Sequence, residues 1–368
     1  MSQENAEPVG SPVAVRLPVE PVEAAIEADA LDAVQQNGIL GVRGPVFGVA
    51  VQEAADGRCW RVVSEVTAGC PQQARDALNS LLWIKAKDDA PDKAQRRALL
   101  AAVARLERER VDELTVLGAR YRIVRAEEYV ALDANGDIEM PRPTDPEPLH
   151  PDWTRGAKGP RPDEGLLLDA DAPLTPALAV ERLSLRDLAY RGTVRFPAAV
   201  IHDSLQALES HPDVLLLPAT FAIVERNHTD TAWTPGSSLH ATAHDARRTL
   251  DFSLVWMEPR RRGLLPLHGE HKSDARTVVA EGTHPKLPEL TVYAEAADRL
   301  RAGRLNQIEV NGAVSRIGRI RRLLRWGPDG PEGPRPSDVN SQDPSQIRPH
   351  LDEDGVIHYD DEDTASPE

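Results

Sequence analysis

The strongest constraint on this chain is that it repeats itself. Arg105, Leu106, Arg110, Val116, Gly118, Ala119, Arg122, Ile123 and Arg125 recur in order as Arg299, Leu300, Arg304, Val310, Gly312, Ala313, Arg316, Ile317 and Arg319, each 194 positions later. After one residue of slippage, Pro141-Arg142-Pro143-Thr144-Asp145 matches Pro334-Arg335-Pro336-Ser337-Asp338. A fixed self-similarity decides the architecture, because two copies of one unit fold alike before they pack together. Towards the N-terminus the match continues at an offset of 174, pairing Ala24 with Ala198, Asp29 with Asp203, Leu31 with Leu205 and Phe47 with Phe221. Trp60 falls opposite Trp233, and Ala74, Arg75 and Leu78 fall opposite Ala246, Arg247 and Leu250. The change of offset places an insertion in residues 259–288 of the second copy, and a connection of that length is more often a functional or mobile loop than scaffold.

The first copy supplies the element pattern. Val22, Ile26, Ala30, Ala33 and Val34 have helical spacing after Pro21, and Asn37-Gly38 stops that helix. Residues 46–51 and 60–63 read as a hairpin through Asp56-Gly57. Cys70-Pro71 opens a second helix with Ala74, Leu78, Leu81 and Leu82 on its buried face. A charged break over 85–93 precedes a third helix carrying Leu99, Ala102, Val103 and Leu106. Residues 114–116 and 121–130 form a second hairpin through Leu117-Gly118, and the counterpart Asn311-Gly312 is the stronger turn signal. Ile317, Ile320 and Leu324 also have helical spacing, but their place directly after that turn assigns residues 316–326 to a strand.

The expected fold is therefore α+β: two diverged tandem repeats, each helix-strand-strand-helix-helix-strand-strand, with an antiparallel sheet covered by helices. The two layers either pack about a pseudo-twofold axis or join edges into one larger sheet. Residues 1–17 are expected to be disordered, 18–146 to form the first unit, 147–191 a partly ordered linker ordered over 180–189, 192–339 the second unit, and 340–368 a disordered acidic tail.

Composition narrows the function. A net charge of −16 repels polyanions at long range, which argues against binding nucleic acid over the whole surface. Two cysteines, Cys59 and Cys70, provide neither a disulfide framework nor a thiolate zinc cage. The polar start lacks a signal-peptide pattern, and no stretch approaches the ~20 apolar residues that cross a bilayer. A cytoplasmic protein is expected.

No constellation announces chemistry. His240 and His244 stand four apart without the glutamate of the zinc-protease pattern, and His268-Gly269-Glu270 lacks the cysteine pair of the deaminases. Gly236-Ser237-Ser238 reads as the cap of a helix entering near Leu239, not as a nucleophile elbow. Phosphate-binding glycine loops are missing, and Asp133-Ala134-Asn135-Gly136-Asp137 is a turn, since its glycine comes too early for a calcium loop. The repeated aromatics Trp60, Trp233, Phe47 and Phe221 read as core. Arg316, Arg319, Arg321, Arg322 and Arg325, beside Trp326, form a basic cluster suited to single-stranded RNA. The first copy has Glu127 and Glu128 opposite Arg321 and Arg322, so the simpler account is attraction between the copies or a hold on the acidic tail. In the Pro-Arg-Pro motifs, Arg142, Asp145, Arg335 and Asp338 are the candidate recognition residues; flanking prolines fix the backbone, and a structural latch is the preferred reading.

The tandem Pro-Arg-Pro-[Thr/Ser]-Asp motifs, Ala-Arg-Asp after Cys70-Pro71, and His211-Pro212 before Leu215-Leu216-Leu217-Pro218 make the chain resemble an uncharacterised actinobacterial family classed only as a domain of unknown function. The resemblance runs from about Pro21 to Asp338, implies a cytoplasmic, GC-rich bacterial origin and supplies no catalytic residues; no metal or cofactor is expected from the residues themselves. The expectation is a non-enzymatic interaction or regulatory protein whose partner is another protein. Two alternatives stand beside it: an enzyme or small-molecule binder with its site in the cleft between the copies, and an RNA binder using the arginine surface.

Overall fold

The computed structural model describes residues 12–268 and 273–359. The first half runs α1 (Pro21–Gln36), β1 (Ile39–Gln52), β2 (Trp60–Ala68), α2 (Pro71–Ile84), α3 (Lys93–Leu106), β3 (Glu113–Val116) and β4 (Ala119–Leu132). A long connection holds β5 (Leu167–Leu168) and α4 (Pro176–Ser184). The second half runs α5 (Ala198–Ser210), β6 (Asp213–Leu216), β7 (Thr220–Asn227), β8 (Thr234–Pro235), α6 (Ala243–Phe252), α7 (Glu258–Arg261), α8 (Ala275–Glu281), α9 (Leu287–Gly303), β9 (Gln307–Val310), β10 (Ala313–Gly327) and β11 (Gly330–Pro331). A small hairpin, β12 (His350–Leu351) and β13 (Ile357–His358), follows.

The fold is mixed α+β around one large antiparallel sheet of order β5-β2-β1-β4-β10-β7-β8, with β3, β6, β9 and β11 added along the long strands. Both central hairpins turn through a left-handed pair, Leu117-Gly118 (φ 52° and 81°) and Asn311-Gly312 (φ 50° and 80°), as a two-residue loop requires. That turn commits residues 313–327 to a strand despite their helical spacing. At the sheet's centre β4 and β10 run antiparallel, with Val130 opposite Ile320, Glu128 opposite Arg322 and Ala126 opposite Leu324. The halves thus join edges. Where the two strands diverge, other segments fill the gap: Arg319 N donates to Glu139 O at 2.7 Å, and Arg125 N donates to Glu332 O at 2.9 Å.

Side chains alternate faces along a strand, so odd-numbered positions of β4 and β10 share one side of the sheet. On that side Phe47 and Ile123 pack with Leu78, Leu82 and Leu99 of α2 and α3. Further along, Phe221 and Ile317 pack with Leu250, Leu290 and Leu300 of α6 and α9. The opposite side buries Ala50, Trp60, Val124, Leu324 and Trp326 under Leu168 of β5. Among the described residues no helix is long and apolar enough to cross a membrane.

Several expectations need correction. Helix α1 forms, but only Ala33 of its apolar residues is buried, while Val22 and Val34 stay 70% and 63% exposed. The charged break at 85–93 is largely a π-helical turn, Lys85–Asp89, that prolongs α2, and Ser253–Met257 does the same for α6. Helix α6 is capped by Thr242, whose hydroxyl accepts from Asp245 N, whereas Ser237 Oγ accepts from Ile223 N at 2.9 Å. Within the insertion, Leu265, Ala275 and Val278 join the α6/α9 core, so part of it is scaffold. Residues 14–16 run beside Leu174. The C-terminal stretch, expected to be disordered from residue 340, packs on the first half: Leu351 is buried in the α2/α3 core, because an apolar side chain there gains more from burial than the chain loses in freedom. The expectations for residues 1–11 and 360–368 lie outside the described residues.

At Gly48 an added Cβ would stand 2.7 Å from Val66 Cα and 2.8 Å from Glu65 O, both backbone atoms that cannot swing away. Gly48→Ala is therefore expected to lose about 1–3 kcal/mol, the usual cost of overpacking. Urea denaturation checks this as a lower midpoint at unchanged slope.

Candidate functional site

The four candidate recognition residues lie at the seam between the halves. Each Pro-Arg-Pro segment folds back as a tight turn closed by its aspartate: Asp145 Oδ2 accepts from Arg142 N at 2.8 Å, and Asp338 Oδ2 accepts from Arg335 N at 2.7 Å. Proline on either side of the arginine fixes φ and makes that turn cheap to form. The arginines point back along their own segments, Arg142 Nε donating to Glu139 at 2.5 Å and Arg335 Nε to Glu332 at 2.7 Å. Thr144 then bonds Asp29 on α1, and Ser337 N donates to Asp203 on α5 at 2.8 Å.

The aspartates also cross between halves. Asp145, which follows β4, accepts from Arg319 Nε of β10 at 2.9 Å. Asp338, which follows β10, accepts from Arg125 Nε of β4 at 2.9 Å. Neighbouring contacts cross in the same way: Arg316 donates to Ile138 O at 3.0 Å and Arg122 to Pro331 O at 2.9 Å, each guanidinium lying 4.9 Å from a tryptophan ring, Trp233 and Trp60 respectively. Beyond the aspartates, Glu147 pairs with Arg247 at 2.8 Å and Asn340 Oδ1 accepts from Arg75 at 3.1 Å. Both arginines reach a second partner on their own half, Asn306 for Arg247 and Asp112 for Arg75, at 2.9 Å each.

The five arginines expected to form a basic surface are buried. Arg316, Arg319, Arg321, Arg322 and Arg325 retain 8%, 7%, 5%, 0% and 1% of their exposure. Arg321 pairs with Glu181 at 2.8 Å, Arg322 forks onto Asp163, and Arg325 donates to the carbonyls of Arg186 and Leu188. Their planes cannot meet a base or a phosphate, so the expected RNA-binding surface is corrected to an internal network. The described part of the acidic tail expected as their alternative partner packs elsewhere, with Leu351 in the α2/α3 core and Glu353 on Arg97.

Glu127 sits where the charges concentrate. It accepts from Arg125 at 2.5 Å, Arg335 at 3.3 Å and the Tyr190 hydroxyl at 2.6 Å. Burial works against its ionisation, but Arg125 and Arg335 outweigh burial and hold the carboxyl below its ordinary range. Tyr190 is pushed up by burial and then by Glu127, so it stays a neutral donor.

Beside this network a cleft of about 520 Å³ is lined from both halves, among others by Arg43, Phe47, Glu128, Tyr190, Phe196 and Leu239. Glu128 Oε1 accepts from Arg43 at 2.8 Å, while its Oε2 is buried with no hydrogen-bond partner among the described residues. Of the lining hydroxyls, Tyr190 donates to Glu127 and Ser237 to Ser238 O; with the Glu127 carboxyl held low and the Tyr190 hydroxyl pushed up, the shared proton stays on Tyr190.

His244 Nε2 bonds Asp152 O at 2.9 Å, and His240 pairs its backbone with Phe221. Sequence reasoning missed Asp163, Glu181 and Tyr190, which lie in the long connection and have no counterpart in the self-match. Glu139 and Glu332 were findable, since each stands three residues before its Pro-Arg-Pro arginine.

Removing one partner of a buried pair leaves an uncompensated charge. Asp338→Asn and Asp145→Asn are each expected to lose about 3–5 kcal/mol in urea denaturation. Because the folded-state value of Glu127 is depressed, its stabilisation is present above the ordinary carboxylate value of ~4.3 and is lost as pH falls through the folded value. Urea midpoints measured from pH 7 downwards are expected to drop, and to drop less steeply in Glu127→Gln.

No curated protein and no solved structure matches the chain significantly. One family model matches residues 20–341, most of the chain and all of the seam, and the chain accordingly belongs to that family of unknown function, DUF5954.

Proposed function

We propose that this is a non-enzymatic, cytoplasmic interaction or regulatory protein, built from two diverged copies of one α+β unit, whose partner is another protein. The duplication is supported by contacts that recur at the offsets of the sequence match: Asp145 on Arg319 and Asp338 on Arg125, Glu147 on Arg247 and Asn340 on Arg75. In this reading Arg142, Asp145, Arg335 and Asp338 latch the copies together. The observation that carries the interaction reading is the apolar surface that α1 leaves uncovered. Val22, Ile26, Leu31 and Val34 are 70%, 45%, 53% and 63% exposed on a helix whose buried residue is Ala33. Val180 and Leu183 of α4, which contacts α1, are also exposed. At 3.6 residues per turn Val22 and Ile26 flank Ala33 while Leu31 and Val34 lie further round, so the exposed apolar area wraps the helix and continues onto its neighbour, and apolar area concentrated in this way marks an association surface.

The test is affinity capture from the native cell with the full chain and with Val22→Glu/Ile26→Glu. A protein is expected to be retained by the first and lost by the second at unchanged thermal midpoint. The reading is wrong if the two capture the same set, or if neither retains a protein.

A second reading, a small-molecule site in the cleft between the halves, is favoured by the unpartnered Glu128 Oε2. An apolar ligand with an ammonium or N–H donor suits that oxygen. Glu128→Gln distinguishes the readings, since it affects amine binding and leaves α1 unchanged.

A further inference from the structure

The helical faces of the two halves are finished differently. On the first half the chain's own C-terminal stretch covers the end of α2: Trp83 Nε1 donates to Pro349 O at 3.0 Å, Arg348 lies 5.9 Å from the Trp83 ring and reaches Ser80, and Leu351 is buried beneath. On the second half the stretch after Asp145 brings Trp153 against His244 at the start of α6 and Arg155 over Phe252 at its end, and continues as Gly156-Ala157, whose small side chains leave the groove open. What remains is a cavity of about 270 Å³ walled by Trp153, Phe252 and Trp256.

Its chemistry is specific. The Phe252 and Trp256 rings stack with centroids 5.2 Å apart and planes 21° from parallel. The Arg155 guanidinium lies 4.1 Å from the Phe252 centroid and 5.2 Å from that of Trp256. The other cations of the lining are neutralised: Arg276 and Arg301 both grip buried Asp251 at 2.6 Å, Arg276 also pairs with Asp298 at 2.6 Å, and Arg248 pairs with Asp245 at 2.8 Å. Arg155 enters no ion pair among the described residues. An exposed guanidinium held over aromatic rings keeps its outward N–H fork available, and that fork matches a carboxylate or phosphate bidentately. The adjacent rings provide the face on which a planar ligand stacks.

We infer that this cavity is a binding site for a small aromatic acid, one or two rings carrying a carboxylate or a phosphate, with the ring against Phe252 and Trp256 and the anion on Arg155. A cavity near the lower end of the usual ~300–1,000 Å³ range suits a ligand of that size. The chain's overall charge of −16 disfavours anions elsewhere, and among the described lining residues Arg155 is the cation without an ion pair, so it supplies the selectivity for the anion. The site depends neither on the duplication nor on a protein partner.

Isothermal titration of the full chain with four probes tests it: salicylate and AMP as aromatic carboxylate and phosphate, inorganic phosphate as anion alone, and benzyl alcohol as ring alone. At least one aromatic anion is expected to bind saturably, ten-fold or more tighter than either half-probe, and which of the two does so identifies the anionic group. Arg155→Glu, at an exposed position, is expected to weaken that binding at least ten-fold without moving the thermal midpoint, and Phe252→Leu to weaken it while leaving phosphate unaffected. The inference is overturned if neither aromatic anion binds, if inorganic phosphate binds as tightly, or if Arg155→Glu binds unchanged.

Discussion

Everything in this molecule leans on two buried ion pairs that run between its halves, Arg125 with Asp338 and Arg319 with Asp145. A guanidinium taken out of water is tolerated only when its hydrogen bonds are made elsewhere, and each of these arginines finds its carboxylate on a segment that follows the opposite strand. Unfolding either half would strand a charge in the other. The central β4–β10 pairing supplies only five residue pairs of ladder, so the segments wedged beside it, with their ion pairs, do much of the work of holding one continuous sheet.

The centre of that sheet shows why the two strands carry opposite charges. Glu128 and Arg322 face each other across the ladder, and directly opposed like charges there would repel at close range. With arginine on one strand and glutamate on the other the conflict disappears, yet the two do not neutralise each other directly. Arg322 turns to Asp163 and Glu128 to Arg43. The long connection is therefore part of the structure's electrostatics: Asp163, Glu181 and Tyr190 complete a network that the strands leave open.

This division explains what could be read from the sequence. Asn311-Gly312 settled the second hairpin and, through the self-match, the first, because backbone geometry at a two-residue turn is a local property. Leu78 and Leu99 were legible as core from the period of apolar residues along their helices, and Phe47 and Phe221 as repeated strand aromatics, signals that are equally local. The arginines of β10 were not legible as buried, since arginine is ordinarily a surface residue and, Gln307 beside Arg316 apart, the partners that permit its burial lie 104 to 256 positions away in sequence, beyond any local pattern. Helix α1 failed in the opposite sense. Its apolar spacing was right and its burial was not, because periodicity reports that a face is apolar and says nothing of what covers it.

The two ends of the molecule then diverge for a physical reason visible in the segments that cross the seam. Both leave a Pro-Arg-Pro turn, both meet an arginine at the start of a helix, and both bring an arginine to an aromatic at that helix's end. The C-terminal segment goes on to bury Leu351, which converts its groove into core. The other segment must continue along the connection towards Asp163 and β5, whose contacts with Arg322 and Trp60 hold the opposite face of the sheet. It does not turn back over its own groove. The open aromatic recess beside Arg155 thus follows from where this segment goes next, to the opposite face of the sheet, whereas the C-terminal segment stays on its own half and buries Leu351 there.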